Sequence, residues 1–555
     1  MQLSPRKKKL INKRTKYKHR LKTVQLKLKT FDNINSKALK TMLLSAKKNQ
    51  NRCAQGKHWT DSDKSLAIAM YKKSPKLYRY LRQMIPLPSI RTLQNILSKM
   101  PITPGFNKVI MNHLSRKASE LSPKDKTCVL LFDEMSLKKR LIYNCANDTV
   151  EGYQDLGEHG RFGEIADKTL VLLLQGIHKK FKQPLAYYFV KGTVSSEKLA
   201  VIIKDAIKMV SSLGFKIIAT VCDQGPTNVG ALNLLKKFTG QPSDSIFFLV
   251  DDIKVYIIYD IPHLFKSIRN NFLEGGQMIF DGKKADWSHL VELQEKNKET
   301  LHFKKITALH VNPKFRAKMK VKLAAQMLSN DVAGILKLFA QTFRNERQFD
   351  GKLKRDAITQ TADVIEQLDK IFDVTNGPAS KKDVKKGIRV NVSKNSVHHK
   401  LWPEFKKKIK KMYFLKSSSQ LRLRNVRCVN GYCISISSLQ DIWRYVQSIG
   451  FTHLNLRQFN QDALENLFSL IRQHSPTNQN PTCHHFTAAL KTSILTKLST
   501  PIRGANCEVD DNQLMLDFHD LVFSKSEAED MINNDHAYIE TNDVHDINNA
   551  VLHLP

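Results

Sequence analysis

The sequence predicts a mixed α/β fold: a sheet core interrupted by a large all-α insertion, preceded by a basic helical region with helix-turn-helix character. Three observations predict it. Short apolar runs of strand length, each closed by an acid or a breaker, cluster between residues 126 and 273. A stretch of helical period follows, from 274 to 455. A final helix, starting near Asp462, then resumes the first pattern.

The elements justify that reading in order. Residues 1–50 are Lys-rich, with Leu10, Tyr17, Val24 and Phe31 recurring every seven residues and Leu21 and Leu28 between them. This suits a coiled-coil arm or a single amphipathic helix lying on DNA. Within 51–125, Trp59, Leu66, Ile68, Ala69 and Tyr71 give one apolar face. Ser74-Pro75 opens a second helix, and Ser89 caps a third that begins Ile90-Arg91. Short helices around a tight turn resemble a helix-turn-helix, with a plain three-helix module as the alternative.

The strands expected next are Cys128–Asp133, Thr169–Gly176, Leu185–Val190, Lys216–Asp223 and Val255–Asp260, with helices at Glu197–Leu213 and His263–Phe272. In the insertion, Lys318–Leu328, Val332–Phe343 and Ala357–Phe372 read as helices, and Ser380–Ser396 as a polar loop. Residues 456–504 return to the core, and 505–555 form an acidic, Asn-rich tail expected to be partly disordered.

Composition bounds the function. Lys and Arg total 90 against 51 Asp and Glu, a formal net charge of +39. That excess points to a polyanion, nucleic acid before an acidic membrane. No apolar run is long enough to span a bilayer and no signal-peptide pattern opens the chain. The 8 Cys contain no CxxC pair, so neither a disulfide framework nor a zinc knuckle is supported. Arg6-Lys7-Lys8-Lys9 with Lys13-Arg14 could serve as a nuclear address or as phosphate contacts.

Gln461-Asp462-Ala463-Leu464-Glu465 carries the chemistry, with two carboxylates three residues apart on one helix face. Two strand-like runs end in Asp133 and Asp223, 90 residues apart. If those strands lie side by side, Glu465 closes a carboxylate site from the helix. Two divalent ions held by such acids would serve phosphodiester cleavage and strand transfer. For each acid singly, a turn former or helix cap is the ordinary alternative, and Asp223 before Gln-Gly-Pro is the most turn-like.

Four blocks carry a family resemblance: Phe132-Asp133-Glu134-Met135-Ser136; Cys222-Asp223-Gln224-Gly225; Tyr259 to Lys266 with Arg269-Asn270-Asn271; and Asn460 to Asn466. From about Trp59 to Leu498 the chain resembles the P-element-type DNA transposases, the THAP-domain transposase family. The resemblance implies a ribonuclease-H-like core. It implies that Asp133, Asp223 and Glu465 form a DDE triad holding two Mg²⁺, with Mn²⁺ able to substitute, and that Asp462 lies beside it. It also implies a helical insertion that binds GTP, with Asp373 and Asn376 reading guanine in Ile371-Phe372-Asp373-Val374-Thr375-Asn376. A carboxylate accepts from guanine N1 and N2 and an Asn donates to O6 or N7, a pattern adenine lacks. Val332 would line the pocket, and Lys314, Lys318 and Lys320 are phosphate candidates. No GxxxxGKS loop occurs.

The expected function is therefore metal-dependent DNA cleavage and 3′-OH strand transfer in the nucleus. Double-stranded transposon ends and target DNA are the expected partners, GTP the organising cofactor, and a homo-oligomer the expected assembly, with no membrane partner. A catalytically silent DNA-binding regulator of the same descent is the alternative, and a plain nuclease of the same fold a third. Family members often carry an N-terminal C2CH zinc finger. Here the first Cys is Cys53, and no Cys/His cluster of ligand spacing precedes the core.

Overall fold

The computed structural model describes residues 37–98, 102–145, 148–300, 306–342, 349–378, 387–424, 426–474, 480–496 and 513–514. The heptad positions of the first arm lie outside the described residues, as does the acidic tail apart from Gln513–Leu514. The chain divides into two units, Met1–Pro101 with Asp517–Pro555, and Ile102–Leu516.

In the first unit, helices α1 (Lys37–Asn49), α2 (Asp61–Lys73), α3 (Pro75–Met84) and α4 (Ile90–Ser98) follow one another. Local chemistry sets their starts. Thr60 and Asp63 form a capping box on α2, and Ser74 caps α3 just before Pro75. Ser89 Oγ accepts from Thr92 N at 3.1 Å to start α4. The buried Tyr78 packs edge-on against Tyr71 at 5.6 Å, and its hydroxyl donates to the Pro88 carbonyl at 2.8 Å. That bond pins the turn between α3 and α4.

The second unit is built on a ten-stranded mixed sheet. Its strands are β1 (Gly105–Phe106), β2 (Thr127–Ser136), β5 (Tyr153–Asp155), β6 (Arg161–Ile165), β7 (Lys168–Gly176), β8 (Phe181–Val190), β9 (Lys216–Cys222), β10 (Phe247–Val250), β11 (Ile253–Tyr259) and β17 (Gln513–Leu514). A separate hairpin pairs β3 (Ile142–Asn144) with β4 (Thr149–Glu151). The main order is β10-β11-β9-β2-β7-β8-β5-β6, with β1 and β17 both on β8. β11, β9 and β2 run parallel, whereas β2, β7 and β8 are antiparallel. The central strands are buried along nearly their whole length, as the apolar runs of β2 and β7 require, and β8 takes Lys182 and Gln183 into the buried region as well. Helices α5 (Lys108–Ser119), α6 (Ser196–Ser212), α7 (Pro226–Phe238) and α8 (Ile261–Gly275) complete this part.

The next stretch is mainly helical: α9 (Ser288–Thr300), α10 (Ala308–Val311), α11 (Phe315–Lys318), α12 (Val321–Met327), α13 (Asn330–Thr342), α14 (Phe349–Asn376), α15 (His398–Lys410) and α16 (Arg427–Ser448). It also holds a small antiparallel sheet, β12 (Gly276–Phe280) between β13 (Lys283–Asp286) and β15 (Tyr413–Lys416), and a two-stranded pair, β14 (Val392–Ser393) with β16 (His453–Leu454). The β12–β13 turn is Asp281-Gly282, with φ of 52° and 77°. Two positive-φ residues match a primed hairpin turn, which suits Asp-Gly. The single helix expected over Lys318–Leu328 is instead α11 and α12. The Lys318 carbonyl is taken from outside, by Arg269 Nη2 at 3.0 Å and Asn270 Nδ2 at 3.4 Å, and the chain turns before α12. Helices α17 (Asp462–Gln473) and α18 (Cys483–Thr496) return to the sheet, where α17 packs on β2.

Candidate active site

Register brings two of the three predicted acids together. Leu131 of β2 pairs in parallel with Val221 of β9. Two residues further along each strand are Asp133 and Asp223. Tyr259 of β11 pairs with Cys222, and Asp260 N donates to the Cys222 carbonyl at 2.8 Å. Asp223 and Asp260 thus directly follow β9 and β11, and Asp133 lies on β2 just past its last parallel pair with β9, on the side of the sheet where open α/β sheets place their sites.

Asp133 is pushed up to about 7, by burial first and then by the charge of Asp223; His263 opposes the shift and Glu465 adds to it. Its neighbour Glu134 is not part of this group, because Lys168 Nζ pairs with it at 2.9 Å. Asp223 Oδ1 accepts from Gly225 N at 3.0 Å and from Asn228 Nδ2 at 2.6 Å. The turn role that its sequence suggests is therefore real, and it holds the carboxylate in place beside Asp133. Asp260 caps α8, accepting from His263 N at 2.9 Å, and burial raises it.

Glu465 enters from α17. Its Oε1 lies 2.9 Å from Nε2 of His263 in α8. Burial alone would lower His263, but the hydrogen bond to Glu465 and the charge of Asp260 outweigh it, raising the ring to about 9. His263 is therefore an imidazolium at neutral pH, and Nε2–H donates to Glu465. Lys266, one turn further along α8, is lowered by burial and feels the charges of Glu465, Asp260, Asp223 and Asp133. Arg472 is lowered by burial as well, and feels Glu465 and Asp133. Sequence reasoning gave no role to these three cations. The signal for His263 was its place in Asp260-Ile261-Pro262-His263, a cap followed by a helix start.

The donor set, three carboxylates with little other chemistry, is that of a hard divalent cation. Asp133 and Asp223 are mutually repelling acids in a buried setting, which a cation would relieve. Among the described residues, no three His, Cys, Asp or Glu side chains are close enough as they stand to hold one ion. The Glu465 carboxylate is hydrogen-bonded to His263.

The predicted base-reading residues sit at the end of α14. Asp373 and Asn376 are both buried, three residues apart on one face. Gly377, at φ 70°, ends the helix, and a side chain there would press on Leu456 Cβ at 3.2 Å. Asp373 Oδ1 lies 3.0 Å from Arg389 Nε. Asn376 Oδ1 accepts from Asn460 Nδ2 at 3.1 Å, and that same amide donates to Asp462 Oδ2 at 2.9 Å. Arg457 forms a buried ion pair with Asp462. The fold therefore gathers Asp373, Asn376 and Asp462. Val332 is buried on α13, which packs along α14. Lys314, Lys318 and Lys320 are exposed around α11.

Comparison with known proteins bears on the family and the fold. A family model described as TNP-like, RNase H N-terminal domain, matches residues 102–236. Models described as TNP-like, GTP-binding insertion domain, and TNP-like, RNase H C-terminal domain, match 262–387 and 458–491. The chain belongs to the P-element-type transposase family. It is 25% identical over 451 residues to the transposable element P transposase of Drosophila melanogaster, covering 79% of this chain and 54% of that protein. It is 25% identical over 458 residues to the DNA transposase THAP9 of Homo sapiens, covering 78% and 48%. The chain spans about half the length of these curated relatives. The solved Drosophila P element transposase strand transfer complex shares the fold with a TM-score of 0.67 at 23% identity, covering 86% of this chain and 98% of that chain. The core is thus ribonuclease-H-like. No helix among the described residues is long and apolar enough to cross a membrane.

Proposed function

We propose that this chain is a DNA transposase of the DDE type, acting in the nucleus on transposon ends and target DNA as a homo-oligomer with GTP as organising cofactor. The observation that carries the reading is the juxtaposition of Asp133 and Asp223 on adjacent parallel strands, with Glu465 of α17 close enough for its charge to act on Asp133. Divalent cations held by Asp133, Asp223 and Glu465, with Mg²⁺ the expected ion and Mn²⁺ a substitute, would activate the attacking oxygen and neutralise the leaving one.

In the first step a water oxygen attacks a donor phosphodiester. A new P–O bond forms, the P–O3′ bond breaks, and the departing oxygen takes a proton, leaving a 3′-OH and a 5′-phosphate. In the second, that 3′-OH attacks a target phosphodiester in the same in-line manner, and a target 3′-oxygen leaves. His263 would hold Glu465 while the site is empty and give the carboxylate up to a cation. Lys266 offsets the clustered negative charge. Asp373 and Asp462 would accept from guanine and Asn376 would donate, with Val332 against the base; GTP is not hydrolysed in this scheme. The basic helices α2–α4 would contribute DNA contacts, and the net charge of +39 suits a polyanionic substrate.

The test is strand transfer from a labelled cognate end into plasmid DNA with Mg²⁺, comparing the wild type with Asp133→Ala. Joined product from the wild type alone supports the reading; equal product from both sinks it. The contact that turns Glu465 to His263 favours a second reading, a catalytically silent DNA-binding regulator. That reading predicts DNA binding with no cutting under any divalent ion.

A further inference from the structure

We propose that Asn460 and Gln461 form a coupling element, through which occupancy of the nucleotide motif at Asp373 and Asn376 alters the affinity of the carboxylate site for a divalent ion. This deepens the function proposed above and rests on it. Both residues are only 1% exposed, and they precede α17 without a break.

Their hydrogen bonds run in opposite directions. Asn460 faces the nucleotide motif: Nδ2 donates to Asn376 Oδ1 and to Asp462 Oδ2, and its Oδ1 accepts from Asp462 N at 3.2 Å. Gln461 faces the acids. Its backbone N–H donates to Asp260 Oδ1 at 2.8 Å, and Asp260 in turn donates from its backbone to Cys222, the residue before Asp223. Its Nε2 donates to the Phe132 carbonyl at 3.0 Å, the peptide that leads into Asp133. Its own carbonyl accepts from Glu465 N at 2.9 Å. Gln461 therefore touches the chain beside Asp133 and at Glu465 and reaches the chain beside Asp223 through Asp260, and its neighbour touches the base-reading Asn.

Gln461 is a positioning residue: it reaches the acids only through the backbone that carries them. Its Oε1 is buried and accepts no hydrogen bond among the described residues. A buried acceptor without a donor is costly, and an apolar side chain of similar size would avoid that cost. What the amide supplies in return is the alignment that its N–H bond gives. A nucleotide that draws Asn376 toward a base pulls on the bond that Asn376 Oδ1 accepts from the Asn460 amide, and any shift of Asn460 moves the peptide of Gln461. Burial on both sides makes the segment stiff enough to transmit it.

The experiment measures Mn²⁺ binding to the full chain by electron paramagnetic resonance, with and without saturating guanosine. Guanosine carries no phosphate to chelate the metal. The relevant Mn²⁺ site is the one lost in Asp133→Ala. Expected in the wild type is a change in Mn²⁺ affinity of about 5-fold or more, with Mn²⁺ changing guanosine affinity by the same factor. In Gln461→Met both ligands still bind and the factor falls to about 1. Asn460→Ser, altered at the other end, gives the same loss and serves if Gln461→Met does not fold. A wild-type factor retained in both variants overturns the inference. So does a wild type that binds both ligands with no mutual effect. A wild type that binds no guanosine sinks the nucleotide reading, and this inference with it.

Discussion

Nε2 of His263 lies 2.9 Å from Oε1 of Glu465, joining α8 to α17 across the carboxyl ends of the parallel strands. The contact couples a raised imidazolium to a carboxylate whose charge also acts on Asp133. Removing the ring leaves a partly buried carboxylate without its charged donor. His263→Ala is expected to lower stability by about 1–3 kcal/mol, read as a fall in the urea midpoint with unchanged slope. Unchanged stability would mean that the pair contributes nothing to holding α17 in place.

Glu465→Ala should abolish DNA cutting, by about 100-fold or more, while DNA affinity at fixed salt stays at the wild-type value. A nicking assay in Mg²⁺ and in Mn²⁺ decides it, run beside a filter-binding measurement. Wild-type nicking by the variant at low Mn²⁺ would remove Glu465 from the site.

Much of this arrangement was legible because burial leaves a mark on composition. Cys128–Phe132 and Ile217–Cys222 are runs too apolar to face water, and each hands over to an acid, so Asp133 and Asp223 stood out. Glu465 stood out through its spacing from Asp462. His263, Lys266 and Arg472 did not. In a chain with 90 Lys and Arg, no single cation is conspicuous, and only the strand register shows which of them meet the acids. The β12–β13 hairpin had a local signal in Asp281-Gly282, but strands of four and five residues carry too little alternation to outweigh the helices around them. The break between α11 and α12 had none, since Arg269 that caps it lies 49 residues away.

Asp462 shares the first turn of α17 with Glu465 but is engaged on another side, by Arg457 and Asn460. Asp462→Asn keeps the shape and removes the charge that balances Arg457. The expected outcome is a lost or reduced response of cutting to GTP, with DNA binding unaffected. Titrating GTP into a cleavage assay of wild type and variant checks this. A variant with the wild-type GTP response and wild-type cutting would show that this carboxylate plays no part in either.

Acid stability should depend on His398, in the helical part. The ring is buried and stacks edge-on against Trp402 at 5.1 Å, whose indole N–H donates to the Val374 carbonyl, between Asp373 and Asn376. Its Nδ1 lies 2.9 Å from Ser396 Oγ, whose own hydrogen is given to the Ser393 carbonyl. The ring must therefore donate from Nδ1, which leaves Nε2 an unprotonated, buried acceptor. Burial, with the charge of His399 adding to it, lowers the group to about 4. The folded value lies below the unfolded one, near 6.5, so the stabilising contribution is complete above pH 6.5 and is lost as pH falls towards 4. Linkage sets the loss at about 3 kcal/mol across that window. Urea unfolding followed by Trp fluorescence from pH 7.5 to 4.5 should show the decline, and His398→Phe should flatten it. A variant whose stability falls with the wild-type slope would place the acid sensitivity on other groups.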